Sequence, residues 1–147
     1  RTAIAKLHGF DAISPEQIIV GTGSKELIFL AMNIFHGGKV ENQTKSNFET
    51  PFSDIILVSP GWTTYAPQVR LAKQRCFVVN TSMQTQWKVT PRALNDLVDL
   101  NPDMSSYKLL ILNNPGNPSG TVYTSEELKA LSVICRQKQI IVLSDEI

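Results

Sequence analysis

Asp145 stands at the end of an almost wholly apolar run, Ile140-Ile141-Val142-Leu143-Ser144, where a carboxylate is costly unless it meets a partner. A cationic partner is therefore implied. Three other stretches carry groups that could surround such a partner. Gly21-Thr22-Gly23-Ser24-Lys25-Glu26 follows Ile18-Ile19-Val20 and opens an amphipathic segment. Its glycines permit close backbone approach, and Ser24 and Lys25 would set amides, a hydroxyl and a cation at the positive end of a helix, a cradle suited to phosphate. Pro60-Gly61-Trp62 offers an aromatic face. Asn113 to Gly120, NNPGNPSG, combines two Pro, two Gly and three Asn, which fix a backbone path while presenting amide side chains, that of Asn117 among them.

Each stretch also has a plainer reading: a Gly-rich helix start with nothing bound, a core aromatic at Trp62, a connecting turn at Asn117. GTGSKE fails as a G-x-x-x-x-G-K-[ST] loop, and it fails as a strict dinucleotide fingerprint because Glu26 occupies the third glycine position.

What places these stretches together is the order of elements. Short runs rich in Ile, Val and Leu, at Gln17 to Val20, Asp54 to Ser59, Arg75 to Val79, Lys108 to Leu112 and Gln139 to Ser144, read as buried parallel strands. Between them lie helix patterns at Ser24 to Phe35, Thr63 to Lys73, Pro91 to Leu100 and Ser125 to Lys138. Thr90 before Pro91 is an N-cap and N1 pair, and Thr124-Ser125-Glu126-Glu127 is a capping box. Gly37 to Ser53, without apolar periodicity, reads as a long surface loop. The fold class expected is α/β, a mainly parallel sheet with helices on both faces. In such sheets ligands collect beyond the carboxyl ends of the strands, where all four stretches fall.

The 147 residues, 42% hydrophobic and 18% charged, suit one globular domain. Fourteen Lys and Arg against thirteen Asp and Glu leave a net charge of +1, so neither nucleic acid nor an anionic membrane is indicated as a partner. No apolar run approaches the ~20 residues of a spanning helix. Cys76 and Cys135, far apart and without neighbouring His, argue against a disulfide framework or structural zinc and for a reducing cytoplasm. A first residue Arg1 rather than Met, and a last residue Ile147 directly after a strand pattern, point to part of a longer polypeptide.

In order along the chain, PEQIIVGTGSKELIFLA, SPGWTTYAPQVRLA, NNPGNPSGTVYTSEEL and IIVLSDEI closely resemble the fold-type I aminotransferases that use pyridoxal 5'-phosphate, in particular the class I/II group containing aspartate aminotransferase. The resemblance implies that residues 1–147 are part of the large cofactor-binding domain, without its N-terminal segment, its remainder or the small domain. It assigns the Gly23-Ser24-Lys25 turn to the cofactor phosphate, Trp62 to stacking on the pyridine ring, Asn117 to the phenolic oxygen and Asp145 to the pyridine nitrogen. It also implies amino-acid and 2-oxo-acid substrates and a homodimer that completes its sites across a two-fold axis.

The family's active lysine, which forms the Schiff base, belongs in an S-x-x-K-like segment well after SDE. Ser105-Ser106-Tyr107-Lys108 has the spacing but precedes a strand on the wrong side of NNPGNPSG and reads as coincidence. The substrate-gripping Arg and the Tyr after SDEI are also missing from these residues. Lys25 stands where the family often has a neutral polar residue. A lyase or synthase of the same fold, such as a cysteine-conjugate β-lyase or a cyclopropane-carboxylate synthase, would show nearly the same residues. Outside the resemblance, GTGSKE around a pyrophosphate would suit a nucleotide-binding doubly wound domain.

Overall fold

A computed structural model describes residues 1–7, 13–34 and 52–147. After a short helix α1 (Thr2–Leu7) come α2 (Ser24–Ile34), β1 (Phe52–Ser59), α3 (Tyr65–Leu71), β2 (Arg75–Asn80), α4 (Pro91–Asp99), β3 (Tyr107–Asn113), α5 (Ser125–Gln137) and β4 (Ile140–Asp145). The strands form one parallel sheet in the order β2-β1-β3-β4. The expected α/β architecture, with a parallel sheet and helices on both faces, is what the chain adopts.

Successive strand residues point to opposite faces, and both faces here are apolar, as a sheet covered on two sides requires. Ile56, Leu110 and Leu112 pack with Leu94 of α4 and with Leu131 and Cys135 of α5. Ile55, Leu57, Leu109 and Ile111 pack with Ile28 and Met32 of α2 and with Tyr65 and Val69 of α3. Two cores thus clamp β1 and β3 from either side, which fixes the heights at which their carboxyl ends emerge.

The helix starts take the form their sequences dictate. Thr90 Oγ1 accepts from the Ala93 amide at 3.2 Å ahead of Pro91. In the capping box, Thr124 Oγ1 accepts from the Glu127 amide at 3.2 Å while the Thr124 amide donates to Glu127 Oε2 at 2.7 Å. The Glu127 carboxylate also takes Lys88 Nζ at 2.9 and 3.0 Å, which ties α5 to the segment before α4. Thr124→Ala is expected to cost about 1 kcal/mol, the usual loss for an N-cap hydroxyl. Urea denaturation would check this, and a loss near zero would mean that Glu127 alone fixes the helix start.

Three expectations are corrected. Gln17 to Val20 is not a strand: Pro15–Gln17 forms a 3-10 turn, and Ile19 and Val20 lie exposed at 72% and 65%. The Ser14 amide donates to Gln17 Oε1 at 2.9 Å and the Gln17 amide to the Ser14 carbonyl at 3.0 Å, so local bonds satisfy the backbone where no described strand lies alongside. Of the loop expected over Gly37 to Ser53, residues 37–51 lie outside the described residues, whereas Phe52 and Ser53 begin β1. Helix α3 is shorter than Thr63 to Lys73. It starts only after the Trp62-Thr63-Thr64 turn, with Pro67 in its first turn, where a missing amide hydrogen goes unnoticed.

Candidate functional site

The carboxyl ends of β1, β3 and β4 lie side by side, with Asn113 paired across the sheet to Asp145. From them spring the Pro60-Gly61-Trp62 turn, the NNPGNPSG loop and the Asp145-Glu146 end. Gly61 is required by crowding: a Cβ there would meet the Val58 carbonyl oxygen at 2.5 Å. Gly23 is required by its backbone, with φ at +154° and open space around its Cα. Helix α2 begins directly after Gly23, whose carbonyl accepts the first helical bond from Leu27 at 3.3 Å. The amides of Ser24, Lys25 and Glu26 therefore belong to the first turn, where no helical acceptor exists and an anion is favoured.

Two adjoining hollows of about 310 Å³ each have Ser24 and Asp145 in common. One of them is also lined by Trp62, Tyr65, Asn113 and Asn117. Asp145 is 7% exposed. Its Oδ2 accepts a short hydrogen bond from the Tyr65 hydroxyl, and among the described residues no donor reaches Oδ1. Its carbonyl oxygen accepts from the Asn114 amide at 2.9 Å and from Asn113 Nδ2 at 3.0 Å. Asn113 Oδ1 in turn accepts from the Asn117 amide at 2.6 Å. One Asn side chain thereby ties the NNPGNPSG loop to the end of β4. Burial, reinforced by the hydrogen bond to Asp145, pushes the Tyr65 phenol well above its ordinary value, so it stays a donor.

Of the residues singled out in the sequence, Ser24, Trp62, Asn117 and Asp145 share this cavity. Gly23 and Lys25 line a separate, larger hollow of about 710 Å³ between α2 and α3. The Lys25 ammonium lies 5.6 Å from the centre of the Trp62 ring and touches the site through that contact. Beside it, Glu26 takes the amide and hydroxyl of Thr22, and these bonds hold its carboxyl below the ordinary range. Lys108 lies at the amino end of β3, 5% exposed, with Nζ donating to the Ser106 and Lys138 carbonyls at 3.2 Å each. At about 3.3 Å per strand residue it is roughly 16 Å from the Asn113 end of its own strand. Tyr65 and Asn113 are contributors that reading the sequence missed. Tyr65 lies three residues after Trp62, the helical spacing that brings side chains to one face, and Asn113 opens the Asn-rich loop.

All of residues 1–147 match the family described as aminotransferase class I and II. The chain belongs to that family. It is 30% identical to an aspartate aminotransferase of Bacillus subtilis over 133 residues, which is 90% of this chain and 29% of that protein. It is 28% identical to an asparagine–oxo-acid transaminase of Streptococcus mutans over 142 residues, 97% of this chain and 31% of the other. Among solved structures, aspartate aminotransferase from Thermus thermophilus with maleate superposes with a TM-score of 0.79 at 26% identity, covering 99% of this chain and 34% of that one. The chain thus spans about a third of the length of these class I and II relatives. The structural likeness extends over both layers of helices and the sheet between them, the frame on which the cavity of Asp145 and Ser24 is built.

Proposed function

We propose that this chain forms part of the cofactor-binding large domain of a pyridoxal 5'-phosphate-dependent aminotransferase, which moves an amino group between an amino acid and a 2-oxo acid. The observation that carries the reading is the cavity holding both Ser24, at an anion-favouring helix start, and the nearly buried Asp145, whose Oδ1 is left open by every described donor. A ligand anionic at one end and cationic at the other suits that pair, and pyridoxal phosphate has this character when its ring nitrogen is protonated. The volume of about 310 Å³ lies at the lower end of the range usual for small-ligand sites.

In this reading the first-turn amides and the hydroxyl of Ser24 hold the phosphate, with Gly23 leaving the backbone approachable. The Lys25 charge lies one ring away and adds to the positive field there. Trp62 supplies a flat wall against which an aromatic ring is fixed by offset stacking, and the side-chain amide of Asn117 donates to an ionised phenolic oxygen. The Asp145 carboxylate keeps a proton on the ring nitrogen facing it, since a neighbouring negative charge favours the cationic form. The bound cofactor would supply an electron-accepting ring for a substrate Cα that has lost its proton.

None of the described lysines lines the cavity of Asp145, and the family's active lysine belongs in a segment well after SDE, so these 147 residues alone are expected to be inactive. Borohydride reduction that leaves the cofactor attached to any lysine of this chain would overturn that expectation. We further expect the full-length protein to be a homodimer, which the apolar side chains exposed on α2, Leu30 at 48% and Ile34 at 65%, support. A cytoplasmic setting accords with Cys76 and Cys135 both being free thiols. Among the described residues no helix is long and apolar enough to cross a membrane.

The test is amino transfer by the full-length protein supplied with pyridoxal phosphate. Nitrogen-15 should pass from a labelled amino acid to a 2-oxo acid with little free ammonia released. Release of ammonia and pyruvate from a single substrate would instead establish a lyase built on the same cavity. Protection by a dinucleotide but not by pyridoxal phosphate would defeat both readings.

A further inference from the structure

We infer that Tyr65 is the positioning residue for Asp145: its hydroxyl holds one carboxylate oxygen so that the other faces the cavity, and its ring sets the angle of Trp62. The inference rests on the cofactor reading above and assigns a role to a residue whose hydroxyl is taken up by Asp145. Tyr65 opens α3 and is 5% exposed. Its ring meets that of Trp62 edge-on, with centroids 5.4 Å apart and planes at 85°, while its hydroxyl donates to Asp145 Oδ2. One rigid side chain therefore links the wall and the charged end of the cavity, which come from the β1 and β4 ends of the sheet.

The division of the carboxylate is what makes this a positioning role. A carboxylate on a strand end can rotate about two side-chain bonds and share its charge between two oxygens. A phenol held in the core by its own packing removes that freedom: Oδ2 is taken, and Oδ1 is left for a cation. Because a phenol donates a single hydrogen and is too buried to ionise near neutral pH, the arrangement does not change across the physiological range. Packing on α3, with Val69 one turn further along and 1% exposed, keeps the ring in place when the hydroxyl alone is removed.

Two measurements on the full-length protein test this. Without cofactor, isotope-labelled tyrosine is followed by NMR through an alkaline titration. In the native protein Tyr65 should ionise well above the ordinary tyrosine range, and in Asp145→Asn its ionisation should move to lower pH. With pyridoxal phosphate as probe, Tyr65→Phe keeps the ring against Trp62 and loses only the hydrogen bond. Its unfolding midpoint should change little, while affinity falls about tenfold, as for loss of a hydrogen bond to a charged group, and the visible circular dichroism of the bound probe weakens. Tyr65→Leu, which removes both contacts, should lose more of each. Native affinity and dichroism in Tyr65→Phe, or a Tyr65 titration indifferent to Asp145→Asn, would overturn the inference. If the native protein takes up no pyridoxal phosphate, the cofactor reading fails, and the titration still decides whether Tyr65 and Asp145 act as a pair.

Discussion

Asp145→Asn, on the proposed reading of the cavity, is expected to lower the turnover of the full-length protein on the order of 10²–10³-fold, the usual cost of removing one preorganised electrostatic contact to a reacting group. The substitution keeps the shape of the side chain, and Asn can still accept the Tyr65 hydroxyl, so the fold should persist with its unfolding midpoint nearly unchanged. What disappears is the negative charge facing the cavity. If the cavity holds pyridoxal phosphate as proposed, a neutral amide there would not favour a protonated ring nitrogen, and the electron-accepting character that the ring would supply should weaken. The loss should therefore fall on kcat more than on KM, because the charge matters most when electron density moves onto the ring. Turnover within threefold of native would mean that Asp145 does not face the ring nitrogen, and the reading of the cavity would have to be abandoned.

Asp54→Ala is expected to destabilise the protein by about 3 kcal/mol at neutral pH. Asp54 is fully buried at the start of β1 and receives two nitrogens of Arg75, Nε at 2.6 Å and a terminal nitrogen at 2.7 Å, together with the Ser105 amide. Breaking a buried ion pair by deleting one partner costs 3–5 kcal/mol when the other charge is stranded. Here the Arg75 side chain is 45% exposed and also reaches Asp103 at 2.7 Å, so it can rehydrate, which places the effect at the lower end. Burial alone would raise the Asp54 pKa, but the Arg75 and Ser105 bonds outweigh it and hold the carboxyl below its ordinary range. A depressed value contributes stability that is complete above the unfolded pKa, about 4, and is lost as pH falls through the folded value. Native and variant proteins should therefore differ fully at pH 7 and converge in acid below about pH 4. Urea denaturation across that range checks both points, and a deficit that stayed constant into acid would show that packing, not charge, is what Asp54 contributes.

The two predictions concern opposite ends of the same sheet. At the amino ends the ion pair of Arg75 with Asp54 holds the edge β2 to β1. At the carboxyl ends, Tyr65, Asn113 and Asn114 take up the hydrogen-bonding capacity around Asp145 except for one oxygen and the space before it. A parallel sheet clamped by two apolar cores holds these loops at fixed heights, and the rim can carry an incompletely satisfied acid because the layers beneath supply the stability.

Asp145 was legible as a candidate because a charge ending an apolar run breaks the pattern around it. The capping box at Thr124 was legible because both its bonds lie within four residues. The strands β1 to β4 were legible because runs apolar on both faces fit only a sheet covered on both sides. The strand expected at Gln17 to Val20 failed for a matching reason: a strand needs a neighbour to bond with, and a short apolar run cannot announce whether one will be there.

Composition, periodicity and caps act between residues close in the chain, so by themselves they determined the α/β class, the helix starts and the chemical character of each loop. Tertiary structure alone decided which loops meet. It brought Tyr65 to Asp145 across 80 residues, set Asn113 as the bridge between two loops, and turned Lys25 onto Trp62 and away from the Asp145 cavity. Those contacts follow from sheet order and packing height, which arise when distant strands pair, and no local pattern encodes them.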